Sequence, residues 1–177
     1  MRKIKLYIAT SIDGYIASKD GSIDWLNDPT WELPGEDFGY TDFMQSIDTT
    51  LMGNKTYQQV IGFDVPWPYS DYRNIVFTRK ETALDSKVEF HTGDIPQYVK
   101  ALKTESGKDI WLIGGSEING ILLDAGLIDE IRLTMIPIVL GNGIPLFSNA
   151  SSQQKFKQVE SKSYPNGMVQ LRYELPK

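Results

Sequence analysis

IWLIGGSEING, residues 110–120, joins an apolar run to a glycine pair and then to small and polar residues. The apolar run over 109–115 is continuous, which is typical of a strand covered on both faces of a sheet. The residues from Ser116 onward predict a helix that ends at Gly126, because glycine readily takes the left-handed conformation that stops a helix. The stretch is therefore a strand-to-helix junction of the kind that builds α/β folds.

Strands and helices alternate along most of the remaining chain. Hydrophobic patterning predicts further strands over residues 3–10, 49–53, 74–79, 88–92 and 129–141, the last broken by Pro137. It predicts helices over residues 36–46, 54–62 and 95–107. Asn54 is the expected N-cap of the second helix, and Gly62 and Gly107 are the expected stops.

Two further segments have other patterns. Segment 63–72 is rich in proline and aromatic residues and is predicted to be a loop, whereas the turn at Pro165-Asn166-Gly167 predicts a C-terminal hairpin. These patterns predict one α/β domain over residues 1–177. Its central sheet is expected to be mainly parallel, with helices on both faces and an antiparallel hairpin at one edge.

Composition excludes several classes of function. The chain has 177 residues, 41% of them hydrophobic, and a net charge of −5, which disfavours nucleic acid or an anionic membrane as a partner. No apolar run is long enough to span a bilayer. The first residues are basic, but Asp13 interrupts the apolar run that follows, so a strand is expected there and not a leader peptide.

The chain has no cysteine and a single histidine. Disulfides, thiolate zinc sites and a cysteine nucleophile are therefore excluded, and a reducing cytoplasm is the expected location. His91 lies at a predicted strand end, where a serine-hydrolase role is disfavoured. No calcium-type ladder of carboxylates is present, so no metal site is predicted.

Three strand ends carry groups that suit an anion. Gly114-Gly115 lets the backbone approach a bulky anion, and the first amides of the following helix can point at it. Lys55 follows the strand that ends at Gly53, and Thr78, Arg79 and Lys80 follow a third strand. Together they indicate an extended polyanion such as a dinucleotide; a ligand-free tight turn and solvated surface cations are the alternatives.

Five ordered motifs carry a family resemblance: LYIATSIDGYIA, LMGNKTY, NIVFTR, IWLIGGSEI and IRLTMIPIVLGNGIPLF. Together they resemble the dihydrofolate reductase superfamily, and most closely its branch containing the reductase domain of bifunctional riboflavin-biosynthesis proteins. The resemblance implies a dihydrofolate-reductase-like α/β fold with NADPH bound across the strand ends. It also implies a homodimer.

The resemblance assigns cofactor contacts along the strand ends. Ala9 and Ile16 would pack near the nicotinamide, and Thr78, Arg79 and Lys80 would face the adenosine end. The residues that would lie along the pyrophosphate are Gly53, Lys55, Thr56, Gly114, Gly115, Ser116 and Glu117. Asn54 stands where the family commonly has an arginine for the 2′-phosphate, which leaves NADH open as the cofactor. Compensation by Arg79 or Lys80 is the alternative.

The same resemblance suggests a proton donor for the reduction. A gap-free count back from LMG places the acid of dihydrofolate reductases at Asp37, and Thr134 matches the threonine beside that acid. The role requires burial that raises the pKa of the carboxyl. A solvated helix-cap aspartate and a core threonine are the alternatives. Trp25 is a candidate wall for a flat ring or a loop anchor, and Asp13 is better explained as a turn residue.

The expected substrate is a small heterocycle related to a pterin or a pyrimidine. The first seventy residues hold no obvious basic cluster for a ribose phosphate, which disfavours the riboflavin step itself. A catalytically silent nucleotide-binding module and a structural dimerisation domain are the two alternatives from other functional classes.

Overall fold

The computed structural model describes residues 1–80 and 85–176. Its ten strands are β1 (Ile4–Ser11), β2 (Tyr15–Ala17), β3 (Ile47–Gly53), β4 (Arg73–Phe77), β5 (Glu89–His91), β6 (Asp109–Gly114), β7 (Glu130–Ile136), β8 (Ile144–Pro145), β9 (Lys157–Ser163) and β10 (Val169–Glu174). Its four α-helices are α1 (Tyr40–Gln45), α2 (Asn54–Ile61), α3 (Ile95–Thr104) and α4 (Ser116–Asp124).

Eight of the strands form one sheet in the order β5-β4-β3-β6-β1-β7-β10-β9. The strands from β5 to β7 are parallel to their neighbours, and β10 pairs antiparallel with both β7 and β9. The predicted α/β class with its C-terminal hairpin is therefore confirmed. Because β4, β3 and β6 are parallel neighbours, their carboxyl ends lie side by side at one edge of the sheet.

Both faces of the sheet are covered. On one face, α3 and α4 bury Leu102 and Leu122 against strand residues that include Leu51 and Leu112. On the other face, Phe43 of α1 packs against Trp111, and Tyr57 of α2 packs against Met52 and Val76. Neighbouring strand residues thus point into different cores, which explains the continuous apolar runs of the central strands.

Several element boundaries differ from those predicted. The strand predicted over 129–141 ends at Ile136, because Pro137 has no N–H for the ladder. Ile144–Pro145 then pairs with Tyr15–Ala17 in a separate two-stranded sheet. Helix α3 ends at Thr104, before Gly107.

The start of α1 is also later than predicted. Phe38 and Gly39 both have positive φ angles, of 55° and 74°, so regular α1 begins only at Tyr40.

Among the described residues, no helix combines the length and the apolar character that a membrane crossing requires.

Candidate active site

The three predicted anion-binding junctions lie next to one another. They follow β4, β3 and β6, which are adjacent in the sheet and end at Phe77, Gly53 and Gly114. The sequence-predicted residues that this edge brings together are Gly53, Asn54, Lys55, Thr56, Thr78, Arg79, Lys80, Gly114, Gly115, Ser116 and Glu117.

The glycines allow two helix N-termini to approach closely. A Cβ on Gly115 would lie 3.2 Å from Thr56 Oγ1, at the start of α2, and a Cβ on Gly53 would lie 3.1 Å from Ile118 Cγ1, in α4. Gly114 has a φ of +110° and is joined to Gly115 by a cis peptide bond. Close packing of α2 against α4 therefore explains why a residue without a side chain occupies position 115.

Neither of these two helices is capped by a side chain. The N-cap residues are Gly53 for α2 and Gly115 for α4. Helix α3 provides the contrast, since the Asp94 carboxylate accepts a hydrogen bond of 2.7 Å from the Gln97 N–H. An anion lying between α2 and α4 would receive the positive end of both helix dipoles and their first N–H groups.

The prediction that Asn54 caps α2 is wrong. Asn54 is the first helical residue, because Gly53 already takes the extended conformation of a cap. Its Oδ1 atom is buried without a hydrogen-bond partner among the described residues. Ser116 is turned into the protein, where its hydroxyl contacts Pro145 O and Ser148 Oγ, so only its backbone faces the junction.

One carboxylate and two cations border this edge. Glu117 accepts a hydrogen bond of 2.7 Å from Arg79 Nη2 and lies 3.9 Å from Lys55 Nζ. The side chains of Arg79 and Lys55 are 86% and 95% exposed. The Thr78 hydroxyl is engaged in its own turn, where it contacts the backbone N–H and carbonyl of Lys80.

One predicted nicotinamide contact lies further along the same sheet, and the other lies in the separate sheet of β2 and β8. Ala9 on β1 pairs with Thr134 on β7, and Ile16 belongs to β2. Both Ala9 and Ile16 are half-buried. Asp13 is an exposed turn residue whose carboxylate accepts hydrogen bonds from the Ser11 hydroxyl and from the N–H groups of Leu140 and Gly141, and these bonds lower its pKa.

Asp37 lacks the environment that a proton donor needs. It is exposed, and its carboxylate accepts hydrogen bonds from the N–H groups of Thr41 and Gly39, at 3.0 and 2.9 Å. The hydrogen bonds from Thr41 and Gly39 lower the pKa of Asp37, whereas the proposed role requires a raised value. The structure shows the exposed, hydrogen-bonded aspartate that was the alternative, and the catalytic role of Asp37 stays a prediction.

A different polar group accompanies Thr134. Gln170 of β10 donates from Nε2 to Thr134 Oγ1 at 3.2 Å and to the Phe38 carbonyl at 3.0 Å. The Tyr7 hydroxyl donates to the same carbonyl at 3.3 Å, and burial raises its pKa to about 12. The positive φ of Phe38 accompanies this inward-facing carbonyl. Sequence analysis missed Tyr7 and Gln170, because only the order β1-β7-β10 places them beside Thr134.

Aromatic rings extend from Tyr7 along the same face of the sheet. Tyr7 stacks on Phe43 with ring centroids 4.5 Å apart, and Tyr69 meets Trp111 at 5.4 Å and Trp67 at 5.3 Å. Segment 63–72, predicted to be a loop, has no regular helix or strand, and it supplies two of these rings. In this aromatic row of Tyr7, Tyr40, Trp67, Tyr69 and Trp111, Tyr40 is exposed, whereas Trp111 is buried among its neighbours.

Trp25 is not part of the aromatic row. It packs with Trp31 and Phe38 against the cluster of Ile136, Tyr164 and Met168, and its carbonyl accepts a hydrogen bond of 2.8 Å from Trp31 Nε1. Trp25 is therefore a loop anchor, which was the second of its two interpretations.

Two cavities flank Phe38. One, of about 360 Å³, lies between α1 and the hairpin and includes Arg132 and Gln170, and the other, of about 400 Å³, includes Leu26, Trp31 and Met168.

Within residues 1–80 and 85–176, no three acidic or histidine side chains are grouped closely enough to hold a metal ion.

Comparison with known proteins agrees with this geometry. Residues 2–170 match the RibD C-terminal domain family. The chain is 41% identical over 174 residues to YwjB, an uncharacterized protein of Bacillus subtilis, with 97% of each chain covered. It is 31% identical to a putative riboflavin biosynthesis protein from Shewanella sp. PV-4, whose crystal structure it matches with a TM-score of 0.88 over 99% of both chains.

A more distant structure defines the fold. Dihydrofolate reductase from Enterococcus faecalis, solved as a complex with NADP(H), matches with a TM-score of 0.69 at 16% identity, covering 99% of this chain and 97% of the other. Together with the order of the strands, the matches confirm the resemblance that the five motifs carry: the chain belongs to the RibD C-terminal domain family and has the dihydrofolate reductase fold.

Proposed function

We propose that this protein is a reductase that uses a nicotinamide dinucleotide, NADPH or NADH, to reduce a small heterocycle of the pterin or pyrimidine type. The observation that carries the proposal is the pair of adjacent helix N-termini, both capped by glycine and both free of side-chain caps. The family and the dihydrofolate reductase fold support it.

The residues at the strand ends fit the proposed cofactor. The N–H groups at the starts of α2 and α4 would hold the pyrophosphate, with Gly115 and Thr56 shaping the space between them. Arg79 would lie toward the adenosine half, Lys55 would lie along the pyrophosphate, and Ala9 and Ile16 would border the nicotinamide. When bound, the dinucleotide supplies the hydride; the protein supplies its orientation and the substrate pocket.

The aromatic row and the Tyr7 network fit a flat, polar substrate. The exposed ring of Tyr40 would give stacking area. The Phe38 carbonyl accepts from Tyr7 and Gln170 and so holds these two donors at one end of the row. Burial raises the pKa of Tyr7 to about 12, so its hydroxyl keeps its proton throughout the neutral range. That proton would turn from the Phe38 carbonyl, 3.3 Å away, to a ring nitrogen or oxygen of the substrate. Tyr7 replaces Asp37 as the proposed hydrogen-bond donor to substrate.

An activity assay tests the reductase proposal. Purified protein is incubated with NADPH or NADH and a panel of oxidised pterins and pyrimidines, and loss of the reduced dinucleotide is followed by absorbance. Oxidation that depends on one heterocycle is the expected result. Dinucleotide binding without oxidation by any ring on the panel would favour the silent binding module.

The homodimer implied by the resemblance stays a prediction, which the particle mass in solution would test.

A further inference from the structure

Glu117 sits among the cations that border the proposed cofactor site. It belongs to the first turn of α4, after β6, while Arg79 follows β4 and Lys55 lies in α2, after β3. Its carboxylate therefore connects all three junctions, at 2.7 Å from Arg79 Nη2 and 3.9 Å from Lys55 Nζ. No other partner is recorded for the Arg79 and Lys55 side chains among residues 1–80 and 85–176.

The order of the strands shows which part of a dinucleotide would meet Arg79. Ala9, at the proposed nicotinamide end, is on β1, and Arg79 follows β4, three strands away in the order β4-β3-β6-β1. Three strand spacings amount to about 14 Å. A dinucleotide that extends from Ala9 across the two helix N-termini therefore brings its adenosine ribose toward Arg79, where a 2′-phosphate would project.

The carboxylate of Glu117 already pairs with the Arg79 guanidinium that such a phosphate would meet. A 2′-phosphate carries a charge of about −1.5 to −2 at neutral pH. At Arg79 it would have to displace Glu117 or lie beside it, against like-charge repulsion. An unphosphorylated ribose does not meet this charge. Asn54, at the start of α2, adds no positive charge to offset it.

We infer that Glu117 is a specificity-determining residue that pairs with Arg79 and disfavours a 2′-phosphorylated dinucleotide relative to an unphosphorylated one. The inference rests on the proposed cofactor site. It is specific to the side chain of Glu117, because the N–H groups of α2 and α4 would serve both dinucleotides equally.

Calorimetric titration of Glu117→Gln with NADPH and with NADH tests the inference. The substitution keeps the size of the side chain at an exposed position, so the fold should persist. We expect the affinity for NADPH to rise by about tenfold and that for NADH by less than about twofold. The matched control is Glu89→Gln, which removes one negative charge from an ion pair with Arg73, at the opposite end of β4. Glu89→Gln should leave both affinities unchanged.

A double-mutant cycle with Arg79 separates a local effect from a general change of charge. Arg79→Ala should alter NADPH affinity little in the native chain, where Glu117 neutralises the guanidinium. In the Glu117→Gln background, the same substitution should remove most of the gain. An equal effect of Arg79→Ala in both backgrounds would contradict the inference.

The outcomes distinguish this inference from the proposed function. If the native chain binds a dinucleotide and Glu117→Gln leaves the NADPH-to-NADH affinity ratio unchanged, the selectivity role of Glu117 is wrong and the cofactor site stands. If NADPH binds only after the substitution, both proposals are supported. If neither dinucleotide binds to the native chain or to either variant, both are overturned.

Discussion

At the scale of single residues, the backbone decides which side chains face the site. A gap-free count selects Asp37, but the positive φ angles of Phe38 and Gly39 leave it outside the sheet, where its carboxylate accepts a hydrogen bond from the Thr41 N–H. The sequence does not indicate this backbone conformation, because phenylalanine rarely takes a positive φ angle. Thr134 was named from the family resemblance, whereas its hydrogen-bond partner Gln170 could be identified only from the pairing of β7 and β10.

Tyr7→Phe tests the new assignment. The substitution keeps the ring that stacks on Phe43 and removes the hydroxyl that reaches the Phe38 carbonyl. We expect turnover to fall by about tenfold or more, because a positioned hydrogen-bond donor is lost, with dinucleotide affinity unchanged. Steady-state kinetics and titration measure the two effects. Asp37→Asn is the control and should retain turnover; the reverse pattern would restore Asp37 to the catalytic role.

The glycine pair provides a second residue-scale prediction. Gly115 has φ −78° and ψ −161°, which other residues tolerate, so Gly115→Asp should fold. It should abolish dinucleotide binding, because it places a side chain and a negative charge at the start of α4. Native-like thermal unfolding with undiminished dinucleotide affinity would remove the phosphate site.

A milder pair of variants locates the cause of any loss. Gly115→Ala places its Cβ 3.2 Å from Thr56 Oγ1, and adding Thr56→Ala removes that contact. Affinity that returns in the double variant would indicate a displaced α2; affinity that stays low would indicate that the methyl group blocks the ligand. Calorimetric titration of both variants makes the comparison.

At the scale of elements, the strands of the sheet and helices α2 and α4 were predictable from sequence. Their first and last residues were less predictable. Continuous apolar runs indicated β3 and β6 because both faces of these strands are buried. The cap of α2 was missed, since Gly53 and Asn54 are both acceptable caps and only backbone conformation decides between them. Pro137 correctly marked the end of β7, but nothing local indicated that Ile144–Pro145 would pair with β2.

The ion pair between β1 and β6 gives a pH-dependent prediction. Lys5 Nζ lies 2.8 Å from Asp109 Oδ2, and the Lys5 side chain is only 8% exposed. Burial works to raise the pKa of Asp109, but the hydrogen bonds from Lys5 and from the Lys3 N–H outweigh it and lower the pKa below the ordinary value of 3.8. A lowered folded-state pKa means that the pair stabilises the protein above that value and that this stability is lost as the pH falls through the folded-state pKa.

Asp109→Asn should therefore reduce the free energy of unfolding by roughly 1–3 kcal/mol at neutral pH, because it leaves a buried ammonium without its counterion. Urea denaturation across a pH series should show the difference from the native chain shrinking below about pH 4. Asp71→Asn, at an exposed loop position, is the matched control and should show little effect at any pH. A difference that persists undiminished in acid would contradict the assigned pair.

At the scale of the whole molecule, the topology explains why distant segments of sequence form one site. The order β4-β3-β6-β1-β7-β10 places the proposed phosphate-binding junctions on one half of the sheet and the Tyr7–Thr134–Gln170 group on the other. The motifs predicted the first half, because its residues follow their strands directly in sequence. The second half depends on side chains that share a face across three strands, and these pairings are set by long-range packing.

The most direct test of the account is calorimetric titration of the native chain with NADPH and with NADH. The two glycine-capped helix N-termini predict saturable binding at one site per chain, with an affinity that falls as salt is added. The Gly115→Asp variant should give no heat of binding in the same cell. Absence of binding of either dinucleotide by a folded native sample would contradict the central claim and leave the reductase assignment without its cofactor.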